Sequence, residues 1–388
     1  MKALIFNRAF FYISETFIYQ QVKGMPSDVE IELLGFDFAN EDVFPLSNKK
    51  IRIKRSANII DRIVSAISKR VFGVKPGLGF FSANKLKEML RQSDIDLIHA
   101  HFGFNALIIY PVAKALNIPL VITFHGLDAS PEYLSNKKYR NGIKEVIAYA
   151  SGIIIVSPHM NDTLQLKAFA GKTYLISCGV NANEFQRAAR PVAPQVINIL
   201  HSGRLVPKKG VPDLIRVFIV LHKKHPHLHL HIIGDGPELE LCRHTAQQGE
   251  PDSITFYGSK PHGDVKKIMT EADIFVLNSR TSESGDMEGL PVSVLEAMSM
   301  RIPVVSTRHA GIPYVIKHGV NGLLADERNN DQLSELLEKV IVDAGLRSQL
   351  GEEGRRTVLE NFTWEKINRR ISEVYRQIGK VRRKPVAR

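Results

Sequence analysis

Two glutamates lie in the segment EGLPVSVLEAMSM, Glu288 at its start and Glu296 well inside it. Gly289 and Pro291 suit a turn followed by the first helical position, and Val292 to Met300 has helical composition. Backbone N–H groups at that helix start, near Leu290, favour an anion such as phosphate. Glu288 falls in the turn and Glu296 further along the helix, so the carboxylates are separated by several ångström along the axis at ~1.5 Å per residue. The pair is either a working pair of acids or one helix-cap acid and one surface acid. A second segment, SGRLVPKKGV, follows the strand-like INILH and carries Gly203, Arg204, Lys208 and Lys209. Strand-to-helix loops at the C-terminal ends of parallel strands are where α/β proteins bind ligands. The spacing is not that of a phosphate-binding G-x-x-x-x-G-K-[ST] loop, so it reads as a phosphate grip or as a solvated basic loop. Two further segments, HAHFG and TFHGLD, close apolar runs and place His101, His125 and Asp128 at strand ends.

These residues need a scaffold, and its pattern is legible. Short runs rich in Ile, Val and Leu recur at Ala3–Phe6, Ile31–Gly35, Asp96–Ala100, Leu120–Phe124, Ile153–Val156 and Tyr174–Ser177. They resume at Ile197–His201, Leu228–Ile233, Ile254–Tyr257, Ile274–Asn278 and Ile302–Ser306. Runs apolar on both faces belong to parallel sheets covered on both sides by helices, and the stretches between have helical spacing. The fold class is therefore α/β, doubly wound, in two Rossmann-like domains facing each other across a cleft. The Pro, Ala and Arg stretch QRAARPVAPQ divides the halves. The expected organisation is a first domain over 1–187, a linker over 188–195, a second domain over 196–360, a terminal helix over 361–380 and a basic tail over 381–388. Phe362, Trp364, Ile367, Ile371, Val374 and Ile378 form an apolar stripe that the terminal helix must bury.

At 388 residues, 44% hydrophobic and 24% charged, the chain is that of a folded two-domain protein. The net charge of +12 suits a polyanionic partner. Nucleic acid is not that partner: no aromatic platform interleaves the charge, and no helix-turn-helix, zinc-finger or RNP signature is present. Segment 49–75 combines nine cations with the stripe Ile59, Ile60, Ile63, Val64, Ile67 and Val71. It is either a helix lying on an anionic membrane or a basic helix packed on its own domain. Two cysteines, Cys178 and Cys242, exclude a disulfide framework, and MKALIFNRAF reads as a first strand rather than a secretion signal. No apolar run is long enough to span a bilayer. The expected location is the cytoplasm, with peripheral contact to the inner face of the membrane. The histidines His222, His225, His227, His229 and His231 invite a metal, but no cysteine or carboxylate completes a zinc pattern. The other reading is a half-covered strand face.

The order SETFI, HAHFG, TFHG, SGRLVPKKG, GDGP, GDMEGLPVSVLEAM and IPVVSTRHAGIPYVI resembles the retaining GT-B glycosyltransferases of family 4, also called glycosyltransferase group 1. The likeness covers nearly the whole chain and leans toward the bacterial exopolysaccharide branch of colanic acid and amylovoran transferases. Its most specific part is the E-x7-E motif, Glu288 to Glu296. The resemblance implies transfer of a hexose-type sugar from a UDP- or GDP-linked donor to a lipid-linked or growing oligosaccharide, with no cofactor and no metal. It assigns Arg204 and Lys209 to the donor diphosphate, Glu288 to the donor hexose, Glu296 to the ribose hydroxyls and His125 to the transferred sugar. Gly203, Gly289, Leu290 and Pro291 complete the donor side, while Ser14, Glu15, Thr16, His101 and Asp128 are candidates for the acceptor side. The terminal helix from Phe362 would cross back onto the first domain. Many relatives have a Gly-rich loop after the first strand, where this chain has NRAFFYISET. Two other readings keep the fold: a sugar-nucleotide epimerase or hydrolase, which needs no second acceptor, and an inactive scaffold.

Overall fold

Every residue of Leu97–His101, Leu120–Phe124 and Gly152–Ile155 is buried, which strands achieve when helices cover both faces of their sheet. The computed structural model describes residues 1–11, 16–53, 63, 78–188 and 195–382, and it builds such runs into two parallel sheets. The strands of the first half are β1 (Lys2–Phe6), β2 (Ala9–Phe10), β3 (Glu30–Gly35), β4 (Asp37–Phe38), β5 (Lys50–Arg52), β6 (Leu97–His101), β7 (Leu120–Phe124), β8 (Gly152–Ile155) and β9 (Thr173–Leu175). Seven of them form a sheet in the order β5-β3-β1-β6-β7-β8-β9, while β2 and β4 pair separately. The second half contributes β10 (Ile197–Ser202), β11 (Leu228–Ile233), β12 (Ile254–Gly258), β13 (Ile274–Leu277), β14 (Val304–Thr307) and β15 (Leu323–Ala325). Their order is β12-β11-β10-β13-β14-β15.

In each sheet the chain winds outward from one strand and then returns to wind the other way. The reversal lies between β1 and β6 in the first sheet and between β10 and β13 in the second. Loops at the C-terminal ends of the strands beside such a reversal diverge and leave room for a ligand. HAHFG follows from β6 and SGRLVPKKG from β10, so the topology alone directs attention to both segments.

The chain divides into two compact units, Met1–Ser177 with Trp364–Arg388, and Cys178–Thr363. The division falls ahead of the expected 188–195 linker because Val180 and Phe185 are buried in the second unit's core, and Val180 bridges Thr363. Most of that linker lies outside the described residues. The terminal helix, Trp364–Arg382, belongs to the first unit. Its Ile367, Ile371, Val374, Tyr375 and Ile378 are buried. A Cβ at Gly152 would stand 2.8 Å from Ile378 and 3.5 Å from Val374, so the helix meets β8 where the strand has no side chain. Both cysteines are buried thiols. Of the basic segment, Lys49 pairs with Glu32, and Lys50 and Arg52 with Glu41; residues 54–62 and 64–75 lie outside the described ones. No helix among the described residues is long and apolar enough to cross a membrane.

Candidate active site

In the second unit, β10 runs into a tight loop that buries two cations. Gly210 has φ +58° and a Cβ there would lie 2.4 Å from the Asn278 carbonyl, so only glycine lets this loop lie against the end of β13. The Asn278 side chain donates to the Gly210 carbonyl at 3.1 Å, and the Arg280 N–H to that of Lys208 at 2.8 Å, which ties the two switch-point loops together. Lys208 is thereby placed to reach Asp286 Oδ1 and the Met287 carbonyl, both at 3.1 Å. Lys209 Nζ lies 3.0 Å from Glu288 Oε1, with both side chains nearly buried. Gly203 opens onto the same place: a Cβ there would stand 3.3 Å from Lys209 Cε. Arg204, on the same loop, is exposed; its carbonyl accepts the Val206 N–H at 3.0 Å, and its side chain has no hydrogen-bond or ion-pair partner among the described residues.

A relay of hydrogen bonds supports Glu288 from behind. Its backbone N–H donates to His309 Nε2 at 3.1 Å, which leaves the His309 proton on Nδ1, 2.6 Å from Glu327 Oε1. Glu327 also accepts the Thr281 N–H at 2.7 Å. Burial alone would raise the Glu288 carboxyl, but Lys209 and Lys208 outweigh it and hold the group below the usual carboxylate range. The helix Val292–Ser299 begins at Pro291 with no side-chain cap, and Leu290 before it is buried. Gly289 is held by the Gly311 N–H at 3.1 Å. Glu296 forms a separate pair with His262, Oε1 to Nε2 at 3.0 Å, and that carboxylate raises the imidazole's pKa. The ring of His262 packs 5.1 Å from Phe185.

The first unit builds a different site at the ends of β6 and β7. His101 Nδ1 and His125 Nε2 are 3.0 Å apart, and Phe17 and Phe102 flank His125 at 4.5 and 4.6 Å between ring centres. Phe102 has φ +68°, a strained value for a bulky residue, at the turn into the helix Gly103–Leu116. Asp128 is fully buried and accepts the backbone N–H groups of Gly103, His125 and Gly126 at 2.8 to 3.1 Å, so it holds the loop that carries His125. Burial pushes its carboxyl up to about 6 against those three donors. Burial also pushes His101 down to about 3, and holds His125, with His101 adding to the effect, well below the ordinary imidazole range. Thr16 opens the helix Thr16–Lys23 that presents Phe17; Ser14 and Glu15 lie outside the described residues.

The model "Glycosyltransferase Family 4" matches residues 15–184, and "Glycosyl transferases group 1" matches 182–357. The chain belongs to this glycosyltransferase family. The amylovoran biosynthesis glycosyltransferase AmsK of Erwinia amylovora is 28% identical to it over 369 residues, 87% of this chain and 90% of that protein. A GDP-mannose-dependent alpha-(1-6)-phosphatidylinositol monomannoside mannosyltransferase of Mycolicibacterium smegmatis is 32% identical over 174 residues, 44% of this chain and 46% of that one. Among solved structures, Anabaena Alr3699/HepE in complex with UDP-glucose matches with a TM-score of 0.77 at 20% identity, over 97% of this chain and 100% of that one. The fold of this family 4 glycosyltransferase is GT-B, with two Rossmann-like parallel sheets.

Within this glycosyltransferase the structure brings Gly203, Lys209 and Glu288 together, and His101, His125 and Asp128 together. Sequence reading missed Asp286, His262, His309 and Glu327 as partners. His309 stands at the end of β14, a strand-end position like those of His101 and His125, and that placement was the available signal. The alternating histidines have ordinary partners: His229 meets Thr255 at 2.8 Å, and His231 meets Tyr257 at 2.9 Å and Asn198 at 3.1 Å. Among the described residues no cluster of three His, Cys, Asp or Glu could hold a metal ion.

Proposed function

We propose that this glycosyltransferase is a retaining hexosyltransferase, taking its sugar from a UDP- or GDP-linked donor and building a bacterial exopolysaccharide or lipopolysaccharide. The acceptor is a lipid-linked or growing oligosaccharide. The observation that carries the reading is the buried Lys209–Glu288 pair at the β10 switch point, next to the exposed Arg204, whose side chain has no partner among the described residues. In the reaction the bond from the anomeric carbon to the diphosphate oxygen breaks, and the acceptor oxygen bonds to that carbon on the same face. The acceptor's proton passes to the leaving phosphate. Arg204 and Lys209 take the developing negative charge, with the uncapped N–H groups after Pro291 adding to them; Glu288 and Glu296 hold the hexose and the ribose. Preorganised donors of this kind contribute ~3–4 kcal/mol each, enough for the cations and the helix start to serve without a divalent metal. What the relatives and neighbours are named for, amylovoran synthesis, GDP-mannose dependence and a UDP-glucose complex, favours a nucleotide-sugar donor.

Calorimetric titration with UDP and GDP, in the presence of EDTA, tests the donor side. One nucleotide binds to the wild type, and Arg204→Ala weakens it. If neither nucleotide binds, nor ADP or TDP, the transferase reading is abandoned for a scaffold. Incubation with the matching nucleotide sugar then separates a transferase, whose turnover needs acceptor, from an epimerase or hydrolase, whose turnover does not. NMR of the product's anomeric coupling reports retention. Cytoplasmic-face membrane contact through 49–75 belongs to the same reading, and flotation with anionic vesicles checks it.

A further inference from the structure

The first unit carries a buried pair whose hydrogen-bond arithmetic has one good solution. His101 is fully buried, its Nδ1 is 3.0 Å from His125 Nε2, and its Nε2 has no partner among the described residues. Both rings are neutral near pH 7, held so by burial, and a neutral imidazole has one N–H and one lone pair. If His125 donated from Nε2, the His101 proton would have to sit on its own Nε2, as a buried N–H with nothing to accept it. If His101 donates from Nδ1, its own orphan is a bare lone pair, and the unpaired N–H moves to Nδ1 of the half-buried His125, an atom that is not among the buried unpaired ones. Orphaned buried N–H groups are rarer than under-used acceptors, and leaving any buried polar group unsatisfied costs ~1–3 kcal/mol. The neighbouring His99 cannot take the proton instead. Its Nε2 is 2.7 Å from the Thr123 hydroxyl, and its Nδ1 meets the Tyr375 hydroxyl and the Gln21 amide.

We propose that His101 is a positioning residue that fixes the tautomer of His125, so that His125 offers Nδ1–H as a donor. The catalytic consequence rests on the reading that His125 faces the transferred sugar. Nδ1 is the ring nitrogen of His125 that has no partner among the described residues. Phe17 and Phe102 hold the ring from its sides, and Asp128 holds its backbone N–H at 2.9 Å. A ring that presents N–H can bond a sugar oxygen but cannot remove a proton. His125 is therefore excluded as the general base, which agrees with the acceptor's proton going to the leaving phosphate.

Long-range proton–nitrogen NMR of the imidazole-labelled full-length protein reads the tautomer directly. The expected wild-type spectrum has His125 protonated at Nδ1 and His101 at Nδ1. His101→Asn keeps an amide donor near the Nδ1 position and retains both the tautomer and most of the turnover. His101→Leu removes the donor, releases His125 to the Nε2–H form and lowers kcat by ~10-fold or more, with affinity for the bound nucleotide unchanged. A wild-type His125 protonated at Nε2, or a His101→Leu spectrum identical to wild type at His125, overturns the inference. If His101→Leu does not fold, the wild-type spectrum still decides it. If the tautomer shifts as stated but His125→Phe leaves turnover unchanged, the placement of His125 at the sugar fails while the tautomer assignment stands.

Discussion

The two switch-point sites are made of opposite materials. In the second unit, Lys208, Lys209, Asp286 and Glu288 bring charge into low exposure, and each cation has an acidic partner. In the first unit, His101 and His125 are neutral, packed among aromatic rings, and joined by a neutral hydrogen bond. Buried charge pairs rarely stabilise more than apolar packing would, so their presence calls for another reason. Under the proposed function a leaving diphosphate supplies that reason, its charge met by cations already in place. The first site has no charge to offer, which under the same proposal fits an uncharged sugar. The same fold element thus presents charge or neutral imidazole according to whether its loop carries lysine or histidine.

The largest expected effect comes from breaking the charged pair. Lys209→Ala leaves the Glu288 carboxylate buried without its closest cation, costing ~3–5 kcal/mol of stability. Turnover falls by roughly 10²–10³. The double variant Lys209→Met with Glu288→Gln recovers most of the stability, measured by denaturant unfolding, and none of the turnover. If the double variant recovers turnover too, the pair is structural and the contrast between the sites collapses. Arg204→Ala gives a smaller total effect because the Arg204 side chain is exposed and has no partner among the described residues. Its stability stays within ~0.5 kcal/mol of wild type, while nucleotide affinity and turnover fall by ~10²-fold. A change in melting temperature with unchanged affinity would show that Arg204 serves the fold. His125→Phe sharpens the comparison from the other side: kcat drops by ~10-fold or more. UDP or GDP affinity holds, since the residue belongs to the uncharged site; lost affinity would overturn the proposed assignment of His125 to the sugar.

The contrast was only half legible in the sequence. Parallel strands announced themselves because burial on both faces demands unbroken apolar runs, and the strand ends then located His101, His125, Gly203 and Lys209. The pairing of Lys209 with Glu288 was not legible. It depends on how the loop after β10 and the loop before Val292–Ser299 meet, and on Gly210 lying against Asn278, which periodicity does not encode. His309 and Glu327 were hidden for the same reason: each is one residue in a loop, and their order is set by contact across β14 and β15. Asp128 read as an acceptor-side candidate at a strand end, whereas it is buried and spends its oxygens on backbone N–H groups. The compact units divide ahead of the expected linker because Val180 and Phe185 look like loop residues until a core forms around them.

Acid gives the smallest and most discriminating effect, because the two sites titrate in different windows. An unfolded histidine protonates near 6.5, whereas buried His101 resists until about 3. Between those values the unfolded chain binds more protons, so stability falls as the pH falls. His99 and His125 act with the same sign, and so does His201, a buried imidazole on β10 also pushed down to about 3. Asp128 opposes them: its carboxyl titrates at about 6 when folded against 3.8 otherwise, so within that window protonation favours the folded form as the pH drops. Glu288 is held below its ordinary 4.5, and its stabilisation is present above that value and lost only beneath it. Between pH 6.5 and 4.5 the acid sensitivity therefore comes from the imidazoles, net of Asp128, and not from the charged pair. Melting temperatures across that interval follow a shallower slope in His101→Phe than in wild type. Glu288→Gln shifts the whole curve and leaves its slope alone. Equal slopes in wild type and His101→Phe would mean that the histidine pair is hydrated and able to take up protons, and a site of that kind could not hold His125 in one tautomer.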